Sequence, residues 1–389
     1  MQLIEVNDTT TARLFLDVSK QLYKDDSNWI MPLDKDIEDV FSTTKNKAFR
    51  FGEATRWVAL SDDDQPLGRI AAFVNKKYKN KGDEGQVGGI GFFECVNDQN
   101  VADLLFDCAK HWLIQHGVEA MDGPINFGER DRWWGLVTEG HHPPLYCMNY
   151  NPPYYINLFE DYGFQPFYNQ ICFGMHPKKK LSEKVYERHQ AFSKDKDFHA
   201  EHLQKNNLAK YAKHFASVYN KAWAGHGGLK QIAEEQVNIM FNKMKPVMDE
   251  ETIWFAYYKN EPIAIFTCLP DINQWFKHLN GKFGLMQKLK FLWVKKYVPC
   301  TKVVGLVFGV VPEWQGKGVD AYLIGEAATR FFQCERSPYV DFEMQWIGDF
   351  NPKMINVAEN IGDSYRTRVL TTYRYNFDRT KPFERHPIL

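Results

Sequence analysis

The chain has 389 residues, of which 44% are hydrophobic and 25% charged, and its formal net charge is −1. This composition is that of a globular protein with two or three domains, and the charge balance argues against binding of nucleic acid or anionic membrane by the chain as a whole. No apolar run reaches the roughly 18 residues of a membrane span, the N-terminus lacks a signal-peptide pattern, and the cysteines are scattered. We therefore expect a cytoplasmic protein with no stable membrane insertion.

The first half of the chain alternates between helical and strand patterns. Leu14, Val18 and Leu22 recur at helical spacing, with Thr10 or Thr11 as the cap of that helix. The elements predicted in order are a helix over 9–23, a hairpin over 56–78, a strand over 87–96, a helix over 100–117, a strand over 118–127, a short helix over 151–164 and a strand over 165–175.

The second half repeats the same order after a charged segment. We interpret 177–199 as a connector between a first domain over 1–176 and a second over 200–389. The elements predicted there are a helix over 206–223, a hairpin over 252–269, a strand over 302–311, a helix over 319–332, a strand over 339–347, a helix over 351–364 and a strand over 366–377.

The two halves can be laid on each other as an internal repeat. One register superimposes Val101 on Val319 and Leu105 on Leu323, and an Asn-Pro pair precedes the last helix of each half. The shared order of elements predicts two copies of one α+β fold with a mixed sheet.

A glycine-rich turn joins the strand over 302–311 to the next helix. Gly316 and Gly318 allow close approach of the backbone, and the free N–H groups of a helix start favour an anion such as a diphosphate. Lys317 adds a positive charge beside them. The alternative is a βα loop that needs glycine only for tightness.

The sequence around this turn resembles motif A of the GCN5-related N-acetyltransferases (GNAT), in which Gln or Arg is followed after two residues by Gly and, after one further residue, by Gly or Ala. Gln315 and Gly318 fit that pattern, and Asp320 departs from it. The resemblance implies two tandem GNAT-like acyl-CoA N-acyltransferase domains that use acetyl-CoA or another acyl-CoA as substrate. The residues that it implies for coenzyme A binding are Val310, Val311, Gln315, Gly316, Lys317, Gly318, Val319 and Asn351.

Only the second half keeps a usable form of the motif. In the first half Asp98 and Asn100 stand where Gly316 and Gly318 stand in the second, and a carboxylate there repels a phosphate. We therefore expect the first half not to bind coenzyme A. Ala358 occupies the position at which such enzymes commonly carry a tyrosine general acid.

Candidate acid and base groups follow from the strand over 339–347. Alternation puts Asp341, Glu343 and Gln345 on one face, which predicts that they border a polar cleft. Glu343 is the candidate general base and Tyr365, or Tyr373, the candidate acid. The alternative for Glu343 is an ion pair with Arg330 or another buried cation.

The segment over 123–155 is rich in aromatic and charged side chains. It is interpreted either as the wall of an acceptor pocket between the halves or as a domain interface. His141 and His142 are adjacent and lack further ligands at metal-site spacing, so we expect no metal. Residues named for the two interpretations are Asn126, Glu129, Arg130, Arg132, Trp133, Trp134, His141, His142, Tyr146 and Tyr150.

A basic amphipathic segment spans 283–298. The pattern favours a helix that packs on the protein's own core with its lysines outward, and the alternative is a helix on a membrane surface.

The leading functional hypothesis is acyl transfer from coenzyme A to a small-molecule or peptide amine, with no nucleic acid as partner. An aminoacyl-tRNA-dependent transferase is one alternative, and the intact glycine turn argues against it. A non-catalytic acyl-CoA sensor is the other, because Ala358 and Asp320 depart from the family pattern. The sequence leaves the oligomeric state open.

Overall fold

The computed structural model describes residues 1–223 and 231–388. Its helices are α1 (Thr9–Leu22), α2 (Asp34–Val40), α3 (Gln99–Gln115), α4 (Tyr155–Tyr162), α5 (Glu183–Ser193), α6 (Leu208–Trp223), α7 (Glu234–Met244), α8 (Asn273–Phe276), α9 (Leu285–Tyr297), α10 (Val319–Ala327) and α11 (Pro352–Asn360). A π-helical segment, Ala328–Phe332, continues α10.

The strands belong to one mixed sheet. They are β1 (Gln2–Glu5), β2 (Gly52–Leu60), β3 (Pro66–Asn75), β4 (Val87–Cys95), β5 (Ala120–Gly123), β6 (Leu136–Glu139), β7 (Gln165–Met175), β8 (Phe198–His202), β9 (Ile253–Tyr258), β10 (Glu261–Pro270), β11 (Lys302–Val310), β12 (Asp341–Met344), β13 (Ile347–Gly348) and β14 (Tyr365–Asn376).

The sheet is continuous from one half of the chain to the other. Its order is β1-β2-β3-β4-β5-β14-β7-β12-β11-β10-β9-β8, with β13 beside β7 and β6 beside β14. β4 and β5 are parallel in the first half, as β11 and β12 are in the second. The predicted α+β architecture with two similar halves is therefore confirmed.

The two halves exchange strands at the centre of this sheet. β14, from the end of the chain, lies between β5 and β7 of the first half, and β7 pairs in turn with β12 of the second half. The predicted domain boundaries at 176 and 200 do not account for this exchange of strands, because they divide the chain by sequence order alone. Each half contributes a strand to the hydrogen bonding of the other.

Separate apolar cores cover the sheet in each half. The first half packs Phe93 on Phe106 with ring centroids 4.6 Å apart, and Phe159 contacts both. The second half has a larger cluster that includes the fully buried Trp254 and Phe255. The helices predicted over 100–117 and 206–223 each turn one apolar side toward these cores, with Phe106 on the first and Phe215 on the second. That one-sided burial produces the helical spacing of apolar residues in the sequence.

Most predicted elements are present, but two details were wrong. α1 is capped by Asp8, whose side chain accepts from the Thr11 N–H at 2.7 Å, so Thr11 is the partner of the cap rather than the cap. The strand over 339–347 breaks after Met344, and β13 then pairs with β7. The elements β1, α2, β6, β8, α7 and α8 were not predicted.

The predicted connector is partly helical. α5 packs along α10 so closely that a Cβ atom built on Gly325 would lie 2.8 Å from the Cβ atom of His189. His189 Nε2 also lies 3.0 Å from a carboxylate oxygen of Glu326 on α10. The connector therefore shapes the element that follows the glycine turn.

The basic segment over 283–298 forms α9, and it does pack on the core. Phe291 and Val294 are buried, and Lys288, Lys290 and Lys296 are exposed, as predicted. The structure adds that large apolar side chains are also exposed on this helix, including Leu289. Among the described residues no helix has the length and apolar character to cross a membrane.

Candidate functional site

A cleft opens where two parallel strands of the second half diverge. β11 and β12 pair from Lys302 opposite Asp341 to Gly305 opposite Met344, and the pairing ends there. The Gln345 N–H still donates to the Gly305 carbonyl at 2.9 Å. Beyond that point the chain after β12 turns to β7, so the facing edge of β11 is left to border the cleft.

The cleft contains a cavity of about 510 Å³ with a mainly apolar wall. β11 contributes Leu306 and Phe308, and the α10 side contributes Ile324 and Phe332. α11 closes it with three apolar residues and with Asn351. That volume lies within the roughly 300–1,000 Å³ of ligand pockets, and the wall suits a hydrocarbon group better than a polar one.

Tyr219 is the one titratable side chain on the described wall of this cavity. It projects from α6, next to Trp223, which lines the same cavity. Sequence reasoning missed it, because the tyrosine belongs to a helix that precedes the glycine turn by about 90 residues. Because the wall is mainly apolar and its amide side chains do not titrate, the Tyr219 hydroxyl is the candidate group for proton transfer there.

The glycine turn has the predicted strand-turn-helix form. Gly316 and Gly318 have φ angles of +71° and +95°, in the left-handed region that favours glycine. Gly318 is the N-cap of α10, and no side chain caps that end. The Gln315 amide donates to the Val310 carbonyl at 2.9 Å and so tightens the turn.

Two cations flank this turn. Lys317 is exposed within it, and Arg188 of α5 donates to the Lys317 carbonyl at 3.3 Å. The Arg188 side chain lies 2.9 Å from a Cβ built on Gly318, whereas a Cβ on Gly316 would have no neighbour within 4 Å. The turn is therefore covered on one side by an arginine and open on the other.

The corresponding turn of the first half is occupied by its own side chain. Asp98 is the N-cap of α3 and accepts from the Asn100 N–H at 2.9 Å. Its carboxylate uses a donor that is free in the second half. This contrast is the physical basis for expecting an anion at one turn and not at the other.

The first half also fills the space beside its parallel strands. Tyr155 of α4 is 1% exposed, accepts from the Cys95 N–H at 2.7 Å and donates to Glu94 at 3.0 Å. Phe93 packs against the same ring at 5.2 Å. In the second half, Met354, Val357 and Ala358 of α11 line the cavity.

Glu343 lies on the face of β12 away from the cavity, and it is fully buried. Arg368 donates to it at 2.7 Å, Lys302 at 2.5 Å, and the Thr367 hydroxyl at 3.0 Å. Burial alone would raise the pKa of Glu343, but Arg368 and Lys302 outweigh it and lower the pKa to about 2.

This environment matches the ion-pair alternative rather than a free general base. A carboxylate with so low a pKa is a weak proton acceptor, and its oxygens already hold cations. The cations are Arg368 and Lys302; Arg330 instead bonds to Glu326 and to the Ala200 carbonyl. The expectation that Glu343 borders a polar cleft is wrong, because β14 supplies the arginine that sequence order does not place nearby.

Tyr365 is not on the described wall of the cavity. It is 43% exposed at the start of β14, and its ring lies 5.8 Å from that of His176. Desolvation and Asp341 raise the pKa of Tyr365. Tyr373 is buried and donates to Glu160 at 3.0 Å, in the first half.

The other predicted coenzyme A residues divide into two groups. Val310 and Val311 are buried, and the Val311 N–H donates to the Ile263 carbonyl at 2.9 Å, so it is already paired. Val319, the first residue of α10, is fully buried. Asn351 lines the cavity and caps α11 by accepting from the Met354 N–H at 3.3 Å.

The aromatic segment over 123–155 serves more than one purpose. Asn126, Glu129, Arg130, Arg132 and Trp134 line a second cavity of about 650 Å³, whose described wall belongs to the first half alone. The placement of that cavity between the halves is therefore wrong.

The later part of the segment over 123–155 forms an interface between the two halves, as the alternative interpretation predicted. Arg368 donates to the Pro143 carbonyl at 3.1 Å, and Asn273 donates to that of Pro144 at 2.8 Å. Desolvation and Arg368 lower the pKa of His142 to about 4. The described residues contain no group of three or more potential ligands that could hold a metal ion.

The remaining predicted residues of this segment have structural contacts. Trp133 belongs to a core cluster of the first half. Tyr146 and Tyr150 each donate to an aspartate at 2.6 Å, Asp36 and Asp26 respectively. His141 accepts from Asn28 through its backbone carbonyl at 3.1 Å.

Comparison with known proteins finds similarity along most of the chain. It is 22% identical over 369 residues to a bacterial ceramide synthase of Caulobacter vibrioides, which covers 94% of this chain and 95% of that protein. It is 25% identical over 364 residues to protein YghO of Escherichia coli, covering 90% and 89%. No family model matches the chain.

Among solved structures, a tandem GNAT protein from the clavulanic acid biosynthesis pathway covers 98% of this chain, which covers 100% of it, with a TM-score of 0.53 and 11% identity. Likeness at that identity establishes the fold. The protein therefore has the mixed α/β fold of the GCN5-related N-acetyltransferases. More narrowly, the chain has the tandem GNAT fold, with two such units in one polypeptide.

Proposed function

We propose that this protein is an N-acyltransferase that moves an acyl group from coenzyme A to an amine, with the donor held by the second half. The observation that carries the proposal is the apolar cavity between the diverging strands β11 and β12, next to a helix start with no side-chain cap. In the first half, by contrast, Asp98 caps the corresponding helix start, and Tyr155 is buried beside the parallel strands.

The wall of the cavity favours a long acyl chain over acetyl as the transferred group. An acetyl group presents one methyl, whereas the wall presents many apolar side chains over about 510 Å³. Burial of apolar surface stabilises a bound chain by about 0.8 kcal/mol for each methylene. The similarity to a bacterial ceramide synthase points the same way, because a ceramide is an N-acylated long-chain amino alcohol.

The diphosphate of the donor would bind at the glycine turn. The first N–H groups of α10 and the side chains of Lys317 and Arg188 supply donors and positive charge. Asp320 follows in the first turn of α10 and opposes an anion there. The two cations offset that single carboxylate.

The reaction would form one bond and break one. The amine nitrogen attacks the thioester carbonyl, a C–N bond forms, the C–S bond breaks, and the proton lost by nitrogen is matched by the one gained by the thiolate. Tyr219 is the proposed group for proton transfer to the sulfur, since this residue lines the cavity and Glu343 is held by cations.

Release of free coenzyme A thiol tests the function directly. We expect turnover with a long-chain amino alcohol and acyl donors of increasing length, and a preference for long donors over acetyl-CoA. The same donors should raise the melting temperature by mass action. If no donor causes thiol release and no donor stabilises the protein, the proposal is contradicted. Stabilisation without thiol release would favour the sensor alternative.

Two variants separate proton transfer from binding. Tyr219→Phe should lower kcat by about 10²–10⁴-fold with little change in donor affinity. Met354→Trp should fill the partly exposed side of the cavity and reduce binding of long donors more than of acetyl-CoA. An unchanged kcat in Tyr219→Phe would reject the role of Tyr219 in proton transfer. An equal loss of binding for all donors in Met354→Trp would reject the cavity as the site of the acyl chain.

A further inference from the structure

The outer face of α9 is unusually apolar for a solvent-exposed helix. Six of the fourteen exposed large hydrophobic residues in the described part of the chain lie on this one helix. Their exposures are Leu285 77%, Met286 77%, Leu289 61%, Leu292 58%, Trp293 62% and Tyr297 59%. Scattered single residues of this kind are ordinary, but a contiguous patch marks an interaction surface.

The exposure follows from the way in which α9 is anchored. Phe291 and Val294 point into the core, and the Phe291 ring lies 5.7 Å from that of Phe276 and 6.0 Å from that of Trp275. Lys295 donates to the Pro246 carbonyl. These contacts fix the rotation of the helix, so the opposite side, with Leu289 and Leu292, faces away from the protein.

Positive charge surrounds this apolar face. The sequence has no acidic residue between Asp271 and Glu313. Lys288, Lys290 and Lys296 are exposed on the helix, and Lys277 and Lys282 precede it. Trp293 and Tyr297 are the side-chain types enriched at the boundary between lipid and water.

This combination selects one kind of partner. A second copy of the chain, packed face to face, would bring like charges together around its apolar centre. A nucleic acid would leave the leucines in water. An anionic lipid surface pairs with the lysines and accepts the apolar side chains in its acyl region.

We propose that α9 is an interfacial helix through which the protein adsorbs to an anionic lipid bilayer. Leu285, Leu289, Leu292 and Trp293 insert below the headgroups, and the exposed lysines contact the headgroup charges. The helix lies in the plane of the surface and does not cross it. This inference rests on α9 alone and holds whether or not the protein transfers acyl groups.

Vesicle co-sedimentation of the full chain tests the proposal. Vesicles of phosphatidylcholine with about one third phosphatidylglycerol should retain the protein, pure phosphatidylcholine should retain less, and added salt should weaken binding. The double variant Leu289→Glu/Leu292→Glu should bind at least tenfold more weakly. Trp293 should be quenched by brominated lipid, and Trp293→Phe should remove that component.

Matched controls keep the result interpretable. Ile114→Glu on α3 and Ile239→Glu on α7 replace side chains that are 49% and 55% exposed on other helices, and they should bind vesicles as the unaltered protein does. Thermal unfolding checks that each variant folds. Thiol release from dissolved substrates should be unchanged in the α9 variant, so failure of this proposal and failure of the acyltransferase proposal are distinguishable.

Three outcomes would overturn the inference. The first is no difference between anionic and neutral vesicles. The second is binding that survives Leu289→Glu/Leu292→Glu. The third is a dimer in analytical ultracentrifugation that the double variant dissociates, in a protein that does not bind vesicles, which would assign the face to a second copy of the chain.

Discussion

At the scale of single residues, charge decides which groups are free to act. Glu343 is enclosed by Arg368 and Lys302 across two strands, so its carboxylate holds the second half together rather than facing a substrate. Lys317 and Arg188 lie at an open turn beside uncapped N–H groups, where a bound anion would meet them. Both sites contain cations, but only the second is exposed to solvent.

Glu343→Gln should therefore destabilise the fold before it affects chemistry. Removing one partner of a buried pair leaves unpaired cations and costs about 3–5 kcal/mol. We expect a lower midpoint in urea unfolding, with donor affinity kept in the fraction that remains folded. A variant of normal stability with abolished turnover would restore Glu343 as a catalytic base.

The same ion cluster predicts the acid limit of stability. The pKa of Glu343 is about 2 in the folded chain, below the ordinary value of 4.5. A lowered folded-state pKa contributes stability that is complete above the unfolded value and is lost as the pH falls through the folded one. Unfolding free energy should decline between pH 4.5 and 2 more steeply in the unaltered protein than in Glu343→Gln.

Charge reversal at the glycine turn tests the anion site. Lys317→Glu and Arg188→Glu should each weaken coenzyme A binding about tenfold, or roughly 1.4 kcal/mol, and the effect should shrink at high salt. Calorimetry with coenzyme A gives the affinities. Asn97→Glu, on the exposed turn of the first half, is the matched control and should bind coenzyme A normally; equal losses in all three would refute a site at one turn.

At the scale of elements, the connector helix α5 contributes to the anion site that we propose for the second half. Its packing on α10 brings Arg188 to the turn, and Gly325 permits the close approach of His189. Sequence alone indicated a charged linker, because α5 has few apolar residues; its packing on α10 and on Phe198 of β8 is visible only in the structure. The sequence pattern of α9 likewise does not show which of its apolar residues face solvent, since that helix carries apolar residues on two sides.

Gly325→Val should separate α5 from α10. An added side chain meets His189, and overpacking of this kind costs about 1–3 kcal/mol. We expect a lower melting temperature and weaker coenzyme A binding through the displacement of Arg188. Adding His189→Ala should restore part of both; no loss in the single variant would mean that the helices are free to adjust.

At the scale of the whole molecule, the crossing of β14 and β7 makes the halves interdependent. β14 bonds to β5 and β7 of the first half, and β7 bonds to β12 of the second. Two separable domains would each keep their own last strand. The continuous sheet instead holds the cavity of the second half at a fixed place beside the first.

Residues 1–176 expressed alone should not form a stable monomer. Without β14, the edges of β5 and β7 lose their partner and become open to aggregation. Co-expression with residues 177–389 should yield a soluble complex of both pieces, as measured by size-exclusion chromatography. A monomeric, cooperatively unfolding first half would show that the exchanged strand is dispensable.

The amino-acid sequence by itself determined the local elements, the repeat and the glycine turn, because periodicity, turn residues and helix starts depend on neighbours in the chain. It also indicated which half could accept an anion, through Asp98 against Gly316 and Gly318. Tertiary structure decided that Arg368 neutralises Glu343, that Tyr219 lines the cavity and that α9 turns leucines outward. Those outcomes depend on strands and helices brought together from distant parts of the chain, and no local pattern encodes which of them will meet.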